Sequence, residues 1–255
     1  MKLEQLLLEL REGILNDRTD RVSGTSDYLW PDARLVMYIN EAQVRFASHA
    51  FVIRDGTTDE VTAITINEGQ DVYPLHDSVL AVVSAKIEGQ RRDLARVGHA
   101  VLAGYQLPTE RIPFSAETLM ANPGHPLAFS TDEAVATGDT DSFGNVSLRL
   151  HPVPSADAAG GTLRLRVVRK PIEELSLSNP GCEPEIPQQH HIEMLDWAAY
   201  LALRIVDDDA GAPKRALEFR ASFEEHVKKA RAIAMRKLFA PIAWGPGRNG
   251  WVWER

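Results

Sequence analysis

Residues 188–206 read QQHHIEMLDWAAYLALRIV and predict a helix that is apolar on almost every side. From Met194 onward only Asp196 and Arg204 interrupt the apolar side chains, so no continuous polar stripe remains. A helix without a polar face has to be buried on several sides. The rest of the chain must therefore supply elements that pack around it.

Three further segments have the periodicity of helices that bury one face. They are residues 2–15, a helix that begins at Trp30-Pro31 and runs to Ala50, and residues 213–239. Proline favours the first helical turn, where its missing N–H has no partner in any case. Arg11 is expected on the polar face of the first helix. Ion pairs one turn apart are expected between Glu41 and Arg45, Glu224 and Lys228, and Glu225 and Lys229.

The middle of the chain changes to the two-residue period of strands. Residues 162–170, TLRLRVVRK, alternate aliphatic side chains with arginine and predict a half-buried strand. The spacing of Leu94, Val97 and Val101 predicts a short helix within residues 91–102, and prolines predict a loop over residues 104–126. Further strands are predicted at residues 60–66, 72–75, 79–87, 127–130 and 145–150.

This order of elements predicts an α+β protein. The N- and C-terminal helices are expected to form a helical bundle, with an inserted β-rich domain that is sandwich- or barrel-like. The expected bounds are residues 1–55 and 177–240 for the helical core, residues 56–176 for the insertion, and residues 241–255 for a C-terminal tail.

The composition limits the function classes open to the chain. A net charge of −8 argues against binding a nucleic-acid backbone by charge neutralisation, but it does not forbid a surface past which nucleic acid slides without sticking. A single cysteine, Cys182, excludes an intrachain disulfide and a multi-cysteine zinc site. The sequence contains no run of about 18 apolar residues, so no membrane-spanning helix is expected.

No motif in the sequence predicts catalysis or a cofactor, since GxSxG, HExxH and GxxxxGK[ST] are all absent. His190 and Glu193 have the spacing of two metal ligands on one helix face, and Asp207–Asp209 offers oxygen ligands. For the first group the favoured interpretation is a polar first turn with a solvated or interface role, and for the second it is the end of a helix. We therefore predict no catalytic residue, no metal site and no cofactor.

Two other features could contact a partner. A basic strand face is the best candidate for anion contact, although a solvent-facing side of a strand is the favoured interpretation. Its residues are Arg164, Arg166, Arg169 and Lys170. The C-terminal tail carries Trp244, Trp251 and Trp253 among glycines and prolines. Such a segment cannot build its own core, so it either docks on a partner or packs back on its own domain.

Three segments resemble head–tail adaptor (connector or neck) proteins of tailed bacteriophages. They are YINEAQVRFASHAF (Tyr38 to Phe51), INEGQDVYPLHDSVLAVVSAKIEGQ (Ile66 to Gln90), and the closing helices, which contain IEMLDWAAYLALRIVDDD (Ile192 to Asp209) and the run from Ala216 to Arg231. The resemblance covers residues 30–240. It carries no catalytic signature.

The resemblance implies a ring, commonly of twelve copies, that docks on the portal protein and leads to downstream tail or neck proteins. DNA is expected to pass through the lumen without specific binding. The ring is expected in the neck of the virion, after assembly in the host cytoplasm, and in contact with no membrane. Portal anchors implied in this way are Trp244, Trp251 and Trp253, and subunit-interface candidates are Arg34, Glu41, Arg45, Glu225 and Lys229.

Two alternatives stay open from the sequence alone. One is a carbohydrate- or peptide-binding module formed by the β-rich residues 56–176 on a helical base. The few aromatic side chains of this segment disfavour it; they are chiefly Tyr73, Tyr105, Phe114, Phe129 and Phe143. The other is a metal-dependent hydrolase that uses His190, Glu193 and Asp207–Asp209.

Overall fold

The computed structural model of the protein describes residues 1–17, 28–97, 123–133, 146–204 and 212–238. Predictions for Asp207–Asp209, Trp244, Trp251 and Trp253 lie outside these residues. Helices lie toward both ends of the chain and strands lie between them, so the predicted α+β class is confirmed.

The chain divides into two compact units. The β unit consists of Met1–Leu3 and Ile53–Gln188, and the helical unit consists of Glu4–Val52 and Gln189–Arg255. The domain bounds expected from the sequence stay a prediction.

The described part of the β unit contains eight strands in two sheets. They are β1 (Arg54–Asp55), β2 (Ala63–Thr65), β3 (Val72–Pro74), β4 (Val79–Ile87), β5 (Ala95–Arg96), β6 (Ala128–Glu133), β7 (Val146–His151) and β8 (Thr162–Arg169). In the first sheet β8 pairs with β1, β2 and β4, and the second has the order β3-β7-β6-β5. All pairs are antiparallel except β5 with β6.

Strand β8 occupies the centre of the first sheet and has the predicted alternation. Leu163, Leu165 and Val167 are buried, whereas Arg166 between them is exposed. The buried side chains join Phe129 and other apolar residues of the second sheet in one hydrophobic core. The two sheets therefore share a core, as the sheets of a sandwich do.

Two predictions in the β unit are wrong. Residues 60–66 are not one strand, because a helical turn, α3 (Asp59–Thr62), precedes β2. The Asp55 carboxylate accepts hydrogen bonds from the N–H groups of Thr57 and Thr58, and these bonds turn the chain just ahead of α3. In place of the helix predicted within residues 91–102, the described part contains β5, whose flanking Leu94 and Val97 are buried.

The helical unit contains the buried helix and the partners that it requires. Its elements are α1 (Leu3–Leu8), a π-helix that continues α1 (Glu9–Leu15), α2 (Asp32–Ala50), α4 (Leu195–Leu203) and α5 (Ala212–Leu238). The first residue of α1, Leu3, is assigned to the β unit. Helix α4 contacts α2, α5 and the π-helix. Only Asp196 and Tyr200 of α4 are less than fully buried, as its sequence predicts.

The segment before α4 differs from the prediction. The α-helix begins at Leu195, and a 3-10 turn covers Gln188–His190. His190 and His191 are buried instead of forming a solvated first turn. The His190 ring lies against Phe46, with ring centroids 5.1 Å apart. These histidines therefore form part of the helical core.

Arg11 is also buried, although its spacing predicts a place on the polar face. Its side chain is paired with the Asp17 carboxylate at 3.1 Å and donates to the carbonyl of Trp30 at 2.8 Å. It also pairs with Asp32. The guanidinium therefore links the π-helix to the start of α2 through groups that satisfy its buried charge.

Candidate partner interface on the helical unit

A surface cavity of about 290 Å³ opens between α2, α4 and α5. We call it the Trp197 pocket; it is lined by Arg45, His49, Trp197, Phe223, Glu224, Val227, Lys228 and Arg231. Trp197 and Phe223 are almost completely buried and form its floor, with ring centroids 5.2 Å apart. An aromatic floor in contact with a cavity provides apolar area that a partner side chain can cover.

Trp197 is held from the side of α2 by two charged residues. The Arg45 guanidinium lies 3.9 Å from the centre of the Trp197 ring, within the range of a cation–π contact. The indole Nε1–H donates to the Glu41 carboxylate at 3.3 Å. The predicted Glu41–Arg45 pair is therefore replaced by contacts of both residues with Trp197.

The rim of the Trp197 pocket is positively charged. Arg45, Lys228 and Arg231 contribute three cations, and the Arg231 guanidinium lies 5.1 Å from the centre of the Phe51 ring. The acidic residue of the lining, Glu224, is paired with Arg220 at 2.9 Å. The expected Glu224–Lys228 pair is thus not the one formed, and the rim favours an anionic partner group.

Of the interface residues predicted from the sequence, one lines this pocket. Arg34, Glu41 and Arg45 are exposed along α2, and Arg45 alone reaches the cavity. Glu225 and Lys229 form the predicted ion pair on the exposed side of α5, at 2.6 Å. The hydrogen bond from Lys229 lowers the pKa of Glu225. Whether these residues contact another subunit stays a prediction.

A cluster of histidines and carboxylates lies between α4, α5 and the turn before α4. His190 Nδ1 lies 2.5 Å from Glu193 Oε2, and His226 lies 3.5 Å from Glu193 and 3.7 Å from Asp196. Ser222 donates to Asp196 at 2.7 Å. Burial, aided by the charge of Glu193, raises the pKa of Asp196 despite this bond and the nearby His226. The cluster ties α5 to α4.

Two arginines of β8 contact carboxylates of the β unit itself, and Arg166 between them is exposed. Arg164 pairs with Asp59, and Arg169 pairs with Asp55 at 2.7 Å and with Glu185 at 2.5 Å. Arg169 is only 11% exposed, so the expectation of a solvent-facing basic strand is wrong at this position. Burial alone raises the pKa of Asp55, but hydrogen bonds from Thr57, Thr58 and Arg169 outweigh it and hold that pKa well below its ordinary value.

A comparison with families of known proteins identifies the family of the chain. Residues 1–245 of the chain match the family described as SU10 adaptor protein. The chain belongs to the SU10 adaptor protein family. The resemblance to bacteriophage head–tail adaptors is thereby confirmed, and the protein is a structural adaptor and a virion component. No curated protein matches the chain.

Membership in the SU10 adaptor family bears on the two alternatives. A structural phage adaptor implies a non-enzymatic role, and among the described residues no group of three or more potential ligands could hold a metal ion. Tyr73 and Phe129 are buried in the core of the β unit, so neither offers its ring to a sugar. The other three aromatic residues considered for this role lie outside the described residues.

None of the helices within the described ranges is long and apolar enough to cross a bilayer.

Proposed function

We propose that this adaptor forms a homo-oligomeric ring, of twelve copies, that docks on the portal protein and connects it to downstream tail or neck proteins. The family match over residues 1–245 carries the proposal. Genome DNA passes through the lumen during ejection without specific binding. The ring assembles in the host cytoplasm and becomes part of the neck.

The exposed surface of the helical unit supports an interacting role. Met37 is 68% exposed, and Val44 lies two helical turns further along the same face of α2. Ile233 of α5 is exposed as well. Large apolar side chains at the surface favour contact with a partner. These positions extend the predicted interface candidates Arg34, Glu41, Arg45, Glu225 and Lys229.

The charge of the chain supports a DNA passage. The net charge of −8, multiplied around a ring, repels a phosphate backbone and keeps it from adhering to the wall. Two of the three arginines of β8, Arg164 and Arg169, are paired with carboxylates of the same unit and are therefore less available to phosphate, whereas Arg166 is exposed. We propose that the lumen conducts DNA because it does not bind it.

The experiment that tests the proposal measures particle size. The purified chain, the portal ring of the same phage, and their mixture are compared by light scattering coupled to size exclusion and imaged by electron microscopy. A stoichiometric complex with a ring of adaptor density on the portal is expected. A chain that never associates with the portal, whatever the salt concentration and protein concentration, contradicts the proposal.

A further inference from the structure

The first helical segment exposes an apolar side chain between two acidic ones. Leu8 is 57% exposed, whereas Leu6 and Leu10 on either side are fully buried. Glu4 and Glu12, four residues before and after Leu8, are both exposed. Neither carboxylate forms an ion pair with any residue in the described ranges. This acidic stripe, Glu4-Leu8-Glu12, is not explained by the packing of its own subunit.

The change of helix type keeps the stripe straight. The step from Glu4 to Leu8 follows an α-helix, in which four residues rotate slightly more than one full turn. The step from Leu8 to Glu12 follows the π-helix, in which four residues rotate slightly less than one full turn, because a π-helix has more residues per turn. Leu8 lies at the junction of the two helix types. The two deviations are opposite in sign, so Glu4 and Glu12 stand about one turn to either side of Leu8 on one face.

The Trp197 pocket has the complementary pattern. Its floor, formed by Trp197 and Phe223, is apolar and its rim carries Arg45, Lys228 and Arg231. Within the described part of the chain, Lys228 has no ion pair of its own. A leucine flanked by two carboxylates matches an apolar cavity flanked by cations in both hydrophobicity and charge.

We propose that Leu8 of one subunit enters the Trp197 pocket of the next, with Glu4 and Glu12 against the cationic rim. This inference rests on the proposed function, in which copies of the chain form a ring. The stripe and the pocket are different surfaces of one helical unit, so the contact is head-to-tail. A head-to-tail contact between identical copies generates a closed ring when its rotation closes.

A charge-swap series tests the pairing. Lys228→Glu and Glu12→Lys are each expected to weaken self-association by roughly tenfold or more, because each places like charges across the contact. Combining the two substitutions in one chain restores opposite charges, and association is expected to recover. Lys214→Glu makes the same charge change at an exposed position about 21 Å away along α5 and serves as the matched control.

The series is measured by sedimentation velocity, alone and with the portal ring present as a template. Circular dichroism verifies that each variant is folded, which is expected because all three positions are exposed. Recovery in the double variant supports the pairing. Equal association of Lys228→Glu, Lys214→Glu and the unsubstituted chain overturns it.

A disulfide experiment tests the geometry independently of charge. In a Cys182→Ser background, a Leu8→Cys chain is mixed with a Val227→Cys chain and oxidised. Crosslinked dimers are expected from this mixture, because Val227 lines the pocket that Leu8 enters. Leu217→Cys provides the control partner, since Leu217 is an exposed apolar residue of α5 outside the pocket lining.

The outcomes separate this inference from the proposed function. Assembly on the portal that ignores the charge swaps, together with equal crosslinking to positions 217 and 227, overturns the Leu8 contact and leaves the adaptor proposal standing. The same two results, assembly insensitive to the charge swaps and equal crosslinking to both positions, are expected if the chain's own C-terminal tail or the portal occupies the pocket instead of Leu8. A chain that associates neither with itself nor with the portal overturns both.

Discussion

The guanidinium of Arg45 lies 3.9 Å from the centre of the Trp197 ring, and this contact joins an exposed side chain of α2 to the buried helix α4. Trp197 belongs to the helical core through Phe223 and to the surface through the pocket above it. A substitution at Arg45 is therefore able to change partner binding with little effect on folding.

Replacement of Arg45 by Gln is expected to lower the free energy of unfolding by no more than about 1 kcal/mol, the value of an exposed cation–π contact. Self-association is expected to fall more strongly, because the pocket rim loses one of its three cations. Urea unfolding followed by tryptophan fluorescence gives the first quantity, and sedimentation gives the second. Lys214→Gln removes one positive charge at an exposed position outside the pocket lining and is the control; equal loss of association in both variants speaks against a specific role for Arg45.

Substitution of the buried Arg11, in contrast, is expected to have a large effect on folding. Arg11→Met removes the partner of the Asp17 carboxylate, which is itself buried, and leaves that charge uncompensated. We expect the free energy of unfolding to fall by about 3–5 kcal/mol. Arg220→Met breaks an exposed pair with Glu224 and is expected to cost less than about 1 kcal/mol. Chemical denaturation distinguishes the two, and similar small losses in both variants contradict the assigned importance of the Arg11 network.

The contacts of Arg11 and Arg45 show which features of the helical unit can be predicted from the sequence and which cannot. Helical periodicity correctly predicts that α1 and α4 exist and that α4 is buried, although it does not predict the π-helix after α1 or the start of α4 at Leu195, because apolar spacing directly reflects only which face is covered. It places Arg11 on the polar face, since the partners Asp17 and Trp30 meet it only after the chain folds back. The pocket was not predicted either, because its lining comes from three helices that are distant in sequence.

In the β unit, too, some element limits follow from the local sequence and others depend on contacts that the sequence pattern does not include. The limits of β4 and β8 follow from uninterrupted runs of β-branched or alternating residues. The turn at Asp59–Thr62 depends instead on hydrogen bonds to the Asp55 carboxylate, which a propensity for strand does not include. Local pattern therefore predicts elements well, and side-chain bonds to the backbone revise their ends.

The pKa of Asp55 predicts how the β unit responds to acid. That pKa lies below its ordinary value of 3.8 in the folded protein, so the stabilisation is complete above pH 3.8 and is lost as the pH falls toward the folded pKa. Glu185 also has a lowered pKa and acts in the same direction. The free energy of unfolding is therefore expected to decrease between pH 5 and pH 2.

The measurement is urea unfolding at a series of pH values in that range. Asp55→Asn cannot lose a charge at this site, so its curve is expected to be flatter and to lie about 2 kcal/mol lower at pH 7. Asp71→Asn, in an exposed pair with Arg149, is the matched control and should retain the slope of the unsubstituted chain. An Asp55→Asn curve parallel to that of the unsubstituted chain refutes the assignment.

The tryptophans of the C-terminal tail give a prediction about the portal. Replacement of Trp251 and Trp253 by alanine is expected to weaken portal binding by tenfold or more, because truncating a buried tryptophan at an interface typically costs about 2 kcal/mol or more. Self-association through the helical unit is expected to stay unchanged. Titration of labelled portal rings with each variant measures the effect.

The matched control is Arg248→Ala in the same tail. Portal affinity that is unaffected by loss of both tryptophans contradicts their role as anchors. A parallel loss of self-association instead indicates that the tail packs on its own subunit.

The floor of the Trp197 pocket is made of core side chains, and this affects which copies of the chain can enter a ring. Trp197 and Phe223 come together only after α2, α4 and α5 have packed. A copy whose helices have not packed presents no floor, and the head-to-tail contact fails at that copy. In a ring built through this pocket, misfolded subunits are rejected by the geometry of assembly itself, without a separate proofreading factor.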